Sequence, residues 1–229
     1  MIKIKKDGFT LSEVLITLTI VGVLALLIVP GLIKDVNNKA MMSLLQGTVT
    51  NINDIVQTEL VNTRARKLSD TDIYNNPKQF LERLDYSKSQ GTGKPIFYPE
   101  KVYRNINGAD VSGMGAGTYN ASALLKNGVG IAILSPRSAA AKQYAGRDCV
   151  LITIDLNGAK EPNISGVDLF ELELSNESDL DNGIHLGDNL EHSQDQSVNL
   201  SDCKQSGAPY ACYSAAVLSG FDPNYLFED

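Results

Sequence analysis

From Val14 to Ile33 the chain carries twenty residues without a charge, VLITLTIVGVLALLIVPGLI, with Lys3, Lys5 and Lys6 ahead of them. At 1.5 Å rise per residue such a run makes a helix of about 30 Å, the thickness of a bilayer's hydrocarbon core. The lysine-first asymmetry places the N-terminus on the cytoplasmic side and sends the rest of the chain across. Two details separate this run from an ordinary anchor or secretory signal. A cleavable secretory signal has its small-residue cut site after the apolar core, whereas Gly8 lies before it, between the charged leader and Phe9. An acid, Glu13, follows five residues later at the edge of the apolar segment. A carboxylate there is costly until a partner neutralises it, which marks the residue as functional.

The helical pattern continues beyond the apolar run. Val36, Ala40, Met41, Leu44, Leu45, Val49, Ile52, Ile55, Val56 and Leu60 recur at steps of three and four, as in a helix that buries one stripe. From Phe9 to about Arg66 the rod is expected to measure about 85 Å. Pro30 and Gly31 are expected to kink or loosen it, because proline removes a backbone donor and crowds the preceding turn. The first half has only lipid or other subunits to pack against, while the second has a domain.

The run Gly8-Phe9-Thr10-Leu11-Ser12-Glu13, placed ahead of that apolar segment, closely resembles the prepilin leader of type IV pilins and of the pseudopilins of type II secretion systems. The resemblance implies a membrane peptidase that cuts after Gly8 and methylates the new N-terminus at Phe9. For Glu13 it implies pairing with the N-terminal ammonium of a neighbouring subunit during assembly. Electrostatics concurs, since two opposite charges in a low-dielectric setting are each other's best partners. Pro30 falls where that family often has a helix-interrupting proline. The implied partners are the prepilin peptidase, other copies or other pilin-like subunits in a filament, and inner-membrane assembly machinery. The implied location is the inner (cytoplasmic) membrane, single-pass with the N-terminus cytoplasmic, followed by an extracytoplasmic filament or pseudopilus.

On this reading residues 1–8 are a cleaved leader, 9–33 the transmembrane and assembly half of the helix, 34–66 its amphipathic half, and 67–229 a globular domain. The expected fold is α+β, with the helix packed on a small antiparallel sheet. Arg64, Arg66 and Lys67 suit a helix C-terminus, and Pro77 to Leu84 reads as a short second helix. The glycine-rich stretch from Ser87 to Tyr119 reads as loop and edge structure. Strands are expected at Gly128–Leu134, Cys149–Leu156 and Val167–Leu174, the last with clear alternation. Between the last two, Asn157-Gly158 is a hairpin signal. The fuller pattern Asp155-x-Asn157-Gly158, Pro162-Asn163, Gly166-x-Asp168-x-Phe170 resembles the loop joining adjacent strands in many bacterial pilin-like proteins.

Three cysteines, Cys149, Cys203 and Cys212, stand in a domain expected to be exported, so two should pair and one be left over. Cys203 and Cys212, nine apart around Gly207 and Pro209, can close a small loop. The acids after Leu174 are dense enough to hold a hard cation, with Asp179, Asp181 and Asp188 as the candidate ligands. The resemblance implies calcium in this region for major pseudopilins. Their spacing does not match the helix-loop-helix calcium motif, and a solvated acidic loop is the plainer reading. No other cofactor is expected.

Net charge is −7, and removal of residues 1–8 leaves 17 basic and 26 acidic residues, a net −9. Phosphate backbones call for clustered Lys and Arg, so nucleic acid is not an expected partner. Gly113-Met114-Gly115-Ala116-Gly117 lacks the buried strand and the lysine of a phosphate-binding loop. No nucleophile with a base and no metal cluster stands out, so an enzyme is not expected. The leading expectation is a structural subunit of a type IV pilus-like filament or a type II secretion pseudopilus. The alternative is a minor pilin or membrane-tethered binding protein acting in adhesion or DNA uptake.

Overall fold

A computed structural model describes residues 10–98, 102–111, 117–134, 149–175 and 196–226. The expected α+β arrangement is what it shows. Helix α1 (Leu11–Thr63) is followed by a 3-10 turn (Leu68–Asp70) and two short helices, α2 (Asp72–Asn75) and α3 (Pro77–Glu82). Five strands come next: β1 (Tyr86–Gln90), β2 (Ala121–Leu125), β3 (Gly130–Leu134), β4 (Cys149–Asp155) and β5 (Leu169–Ser175). Helices α4 (Gln196–Ser206) and α5 (Pro209–Leu218) close the domain. The sheet is an antiparallel meander in chain order, β1-β2-β3-β4-β5.

Helix α1 runs 53 residues, about 80 Å. It continues through Pro30 and Gly31, so the proline removes the backbone bond to the Leu26 carbonyl without ending the rod. Every residue from Thr10 to Asn37 is exposed. Burial then begins on one stripe: Met42, Leu45, Thr48, Ile52, Val56, Glu59 and Leu60. The helix stops at Thr63 rather than near Arg66. Arg64 adopts the left-handed conformation (φ 55) and returns its N–H to the carbonyls of Leu60 and Val61, so the expected basic residues lie past the last turn. Glu59, buried on the stripe, is met by Arg83 at 2.9 Å, which ties the end of α1 to the residue after α3.

The three expected strands exist, and their period of two sorts side chains onto two faces. Ile131 and Ile133, Val150, Ile152 and Ile154, and Phe170, Leu172 and Leu174 join the α1 stripe in the main core. Ala132, Leu134, Cys149 and Leu151 face the other way, under Phe97 and Tyr119. Register follows the same logic: Ile133 pairs with Ile152, and Ile152 with Leu172. Gly130 is required by close approach, since a Cβ there would lie 2.3 Å from the Phe97 ring.

The short second helix expected from Pro77 is α3, and α2 adds a turn of helix ahead of it. The stretch read as loop and edge structure opens on the edge strand β1, and β2 follows just after it as a strand that was not expected. Residues 156–168 form a long, folded connection between the adjacent strands β4 and β5. The ring closed by Cys203 and Cys212 spans the end of α4 and the start of α5, two helices that were not expected.

Candidate assembly site

Gly8 and Phe9, the expected processing residues, lie outside the described residues, as do Asp179, Asp181 and Asp188, and Gly113 to Ala116. The description of the leader's end begins at Thr10, which caps α1 in extended conformation (ψ 152). Its hydroxyl accepts from the Glu13 N–H at 3.3 Å. The Glu13 carboxylate in turn accepts from the Thr10 N–H and hydroxyl, both at 2.8 Å. This reciprocal arrangement is a capping box, encoded by Thr-x-x-Glu. The spacing is visible in the sequence, where Glu13 was read for its charge and its implied pairing rather than as a cap. Glu13 thus has a local partner, its own helix start, and remains exposed for a second one.

Beyond the cap, the segment suits lipid. The hydroxyls of Thr17 and Thr19 donate to the carbonyls of Glu13 and Leu15 at 2.9 and 2.8 Å, and Ser12 shares a hydrogen bond with Thr10. Every hydroxyl between Leu11 and Ile33 is therefore satisfied locally, as a hydrocarbon setting demands. The helix is long and apolar enough to cross a membrane. Leu18, Gly22, Leu26 and Pro30, at steps of four, line one shallow groove along it. A Cβ at Gly22 would meet nothing within 4 Å, so that glycine leaves open surface rather than filling a packed one.

A second feature lies in the connection from β4 to β5, where Gly166 and Val167 line one small cavity with Met41 and Met42 of α1. Asp168, wholly buried, accepts from the N–H of Ile164 (2.7 Å), the N–H of Asn163 (2.8 Å) and the Asn157 carboxamide (3.1 Å). Asp155, also wholly buried, accepts from the Asn157 N–H at 3.1 Å and from the Tyr103 hydroxyl. The loop leans on the segment before it: Arg104 donates its N–H to the Asn163 carbonyl, and Ser165 donates to the Arg104 carbonyl. Burial pushes the Asp155 carboxyl up to about 8; the Tyr103 hydrogen bond opposes the shift and nearby Asp168 adds to it. Burial also pushes Asp168 up to about 6, against the N–H groups of Ile164 and Asn163. Tyr103 is raised by the same burial and then by Asp155.

The connection is clamped from the other side by the disulfide. Cys203 and Cys212 are joined, as expected, with their Cα atoms 4.7 Å apart. Gly166 (φ +88) lies against both sulfurs, where a Cβ would come within 2.9 and 3.0 Å. The Tyr225 hydroxyl donates to the Gly166 carbonyl at 2.7 Å. Cys149, the cysteine outside the bridge, is buried at the start of β4. Among the described residues no three of His, Cys, Asp and Glu converge as a metal centre.

Residues 3–29 match the model of the prokaryotic N-terminal methylation motif, the prepilin-type leader of type IV pilins and pseudopilins. No curated protein and no solved structure matches the chain.

Proposed function

We propose that this chain is a structural subunit of a type IV pilus-like filament or of a type II secretion pseudopilus. A prepilin peptidase cuts after Gly8, the new N-terminus at Phe9 is methylated, and the subunit leaves the inner membrane to join its neighbours through the first half of α1. The observation that carries this reading is the methylation motif heading a helix whose first 27 residues, Leu11 to Asn37, touch no part of the chain's own core. An apolar surface of that extent has to be covered by lipid or by other helices. A structural role also fits a chain whose most specific motif is a leader for processing rather than a constellation for catalysis.

In the membrane, Glu13 is the assembly residue. Its carboxylate docks beside the Phe9 ammonium of the subunit already in place, which offsets the cost of an acid in the apolar segment and sets the axial register. Pro30 and Gly31 give the rod its point of bending, since the Leu26 carbonyl has lost its helical donor. Mass spectrometry of assembled protein tests the processing step directly. The expected chain begins at N-methylated Phe9, and recovery of an intact Met1 from filaments would refute the reading.

A further inference from the structure

We propose that the turn after α5 rests on the surface of the membrane that α1 crosses, with Val217, Leu218, Phe221 and Pro223 set into the headgroup layer. The inference rests on the reading of α1's first half as the membrane segment. It is carried by an apolar patch and by the level of that patch along the rod.

The patch comes from the way α5 ends. Ala211 to Ala216 are buried, yet the last two residues of the helix, Val217 and Leu218, are exposed at 36% and 37%. The chain then reverses. The Gly220 N–H donates to the Val217 carbonyl at 2.9 Å, and the Phe221 N–H to the Ala216 carbonyl at 2.7 Å, the pair of bonds that ends a helix on a left-handed residue. Gly220 takes that conformation freely (φ +69), but Phe221 adopts it too (φ 61), where a bulky side chain is an outlier. The turn therefore holds a half-buried aromatic residue within one turn of two exposed aliphatic ones. Past Asn37, the other large apolar residues exposed among those described are Val61, Ile96 and Val102, each alone in sequence. Single exposed apolar residues are ordinary, whereas a cluster marks a contact.

The level is set by α1. Two residues after Phe221, Pro223 lines a small cavity with Tyr225 and Leu226 of the tail and Asn38, Met41 and Met42 of α1. Two residues of chain reach at most about 7 Å, so Phe221 lies close to that cavity. Asn38 is five residues past Ile33, the end of the uncharged run, or about 7.5 Å along the helix. The headgroup layer on each side of a bilayer is about 5–8 Å deep, half the difference between its full thickness and its hydrocarbon core. With the run in hydrocarbon, the cavity stands at the outer edge of that layer. Lys34, Asp35 and Lys39, exposed at the same level, suit headgroups rather than acyl chains. The other end of the buried stripe, where Glu59 meets Arg83, stands about 30 Å further out. Lipid is favoured over a second copy because the patch continues the chain's own membrane segment. Its apolar residues are interleaved with Ser219, Asp222 and Asn224, the mixed chemistry of an interfacial segment.

The chain has no tryptophan, so a single introduced one reports its own surroundings. Full-length protein carrying Leu218→Trp, Phe221→Trp, Val61→Trp or Leu26→Trp is reconstituted in phosphatidylcholine vesicles at several lipid-to-protein ratios. The vesicles contain lipid spin-labelled either near the headgroup or deep in the acyl chain, and near-UV circular dichroism checks that each variant is folded. The headgroup label should quench Leu218→Trp and Phe221→Trp by about half, and Val61→Trp by less than about a tenth. Val61, 73% exposed at the other end of the stripe, is the control for a domain lying flat. Phe221→Trp sits at a strained position, so Leu218→Trp at an exposed one keeps the test decisive. The deep label should quench Leu26→Trp. Unquenched Leu218→Trp beside a quenched Leu26→Trp would overturn the docking and leave the membrane segment standing. Equal quenching of Val61→Trp would overturn it as well. So would a Leu218→Trp blue shift that is not quenched and disappears on dilution with lipid, which marks a second copy as the occupant. If Leu26→Trp escaped the deep label, the membrane reading itself would fall, and the docking with it.

Discussion

The two halves of α1 are one continuous helix with two different surfaces. From Thr10 to Asn37 every side chain is exposed, and the polar groups are satisfied by the helix itself, through the Thr10–Glu13 capping box and the back-bonded Thr17 and Thr19. From Met42 to Leu60 the apolar residues fall on one stripe, and the acid on that stripe, Glu59, draws its partner from elsewhere in the fold, Arg83. Both halves are helical, so backbone propensity does not separate them. The difference lies in where each side chain finds its complement, within the helix itself for the polar groups of the first half, and in the domain's own core for the second.

If that division is right, variants in one half should leave the other's property untouched. The largest effect belongs to Glu13. Glu13→Ala removes both the capping box and the charge, while Glu13→Gln keeps a side chain that can complete the box. Both should still insert and be cleaved. Both should lose filament entry or secretion almost completely, as read by the amount of subunit in sheared filaments or secreted cargo. Normal assembly of Glu13→Gln would mean that the acid serves only as a cap.

Next comes the buried stripe. Ile52→Ala opens a cavity against the sheet and should cost about 2–4 kcal/mol in denaturant unfolding of the domain. Leu26→Ala, in the exposed half, should change that stability by less than about 0.5 kcal/mol. Similar losses at the two sites would dissolve the distinction between the halves.

Reduction of the Cys203–Cys212 disulfide tests a staple on the β4–β5 connection, outside both halves of α1. The loop it removes is short, so the chain-entropy account gives a loss of about 2–3 kcal/mol. Melting with and without reductant measures it, and the processing of the leader should not respond.

The smallest effect concerns Glu171 on β5. Burial pushes its carboxyl up to about 7; the Thr153 hydroxyl opposes the shift and neighbouring Glu173 adds to it. A folded pKa above the unfolded value means the folded state holds the proton longer, so this residue's contribution is present in acid and falls as pH rises from about 4.5 to about 7. Glu171→Gln should flatten the domain's stability over that window and raise it at neutral pH by on the order of 1 kcal/mol.

The parts of the fold legible in the sequence were those with a long period or a clean alternation. The apolar run, the 42–60 stripe and the alternating Leu169-Phe170-Glu171-Leu172-Glu173-Leu174 each repeat long enough to outvote local noise. β1 was read no more finely than loop and edge structure because Tyr86–Gln90 is polar and its strand residues are largely exposed, with no buried face to read. β2 was missed because Ala121, Ser122 and Ala123 carry little β propensity of their own and are held by pairing with β1 and β3. α5 is buried almost all round, so Ala211, Cys212, Ala215 and Ala216 leave no polar face for a helical period to show. Of the assembly site, the acid was recognised but its capping partner was not. In the β4–β5 connection the pattern of Asp, Asn and Gly was visible, whereas the Tyr103 contact to Asp155 spans 52 residues and has no local signature.

The meander has a further consequence for how such a chain folds. Each strand bonds only to the strands before and after it, so the sheet needs no crossover, and its longest closure spans the residues between Gln90 and Ala121. α1 emerges first and offers its stripe as a template, and the strands can then add one at a time in the order of their synthesis. In chain order the whole sheet precedes α4 and α5, which the disulfide joins. A chain built this way leaves few strand edges waiting for a partner, which limits aggregation during folding.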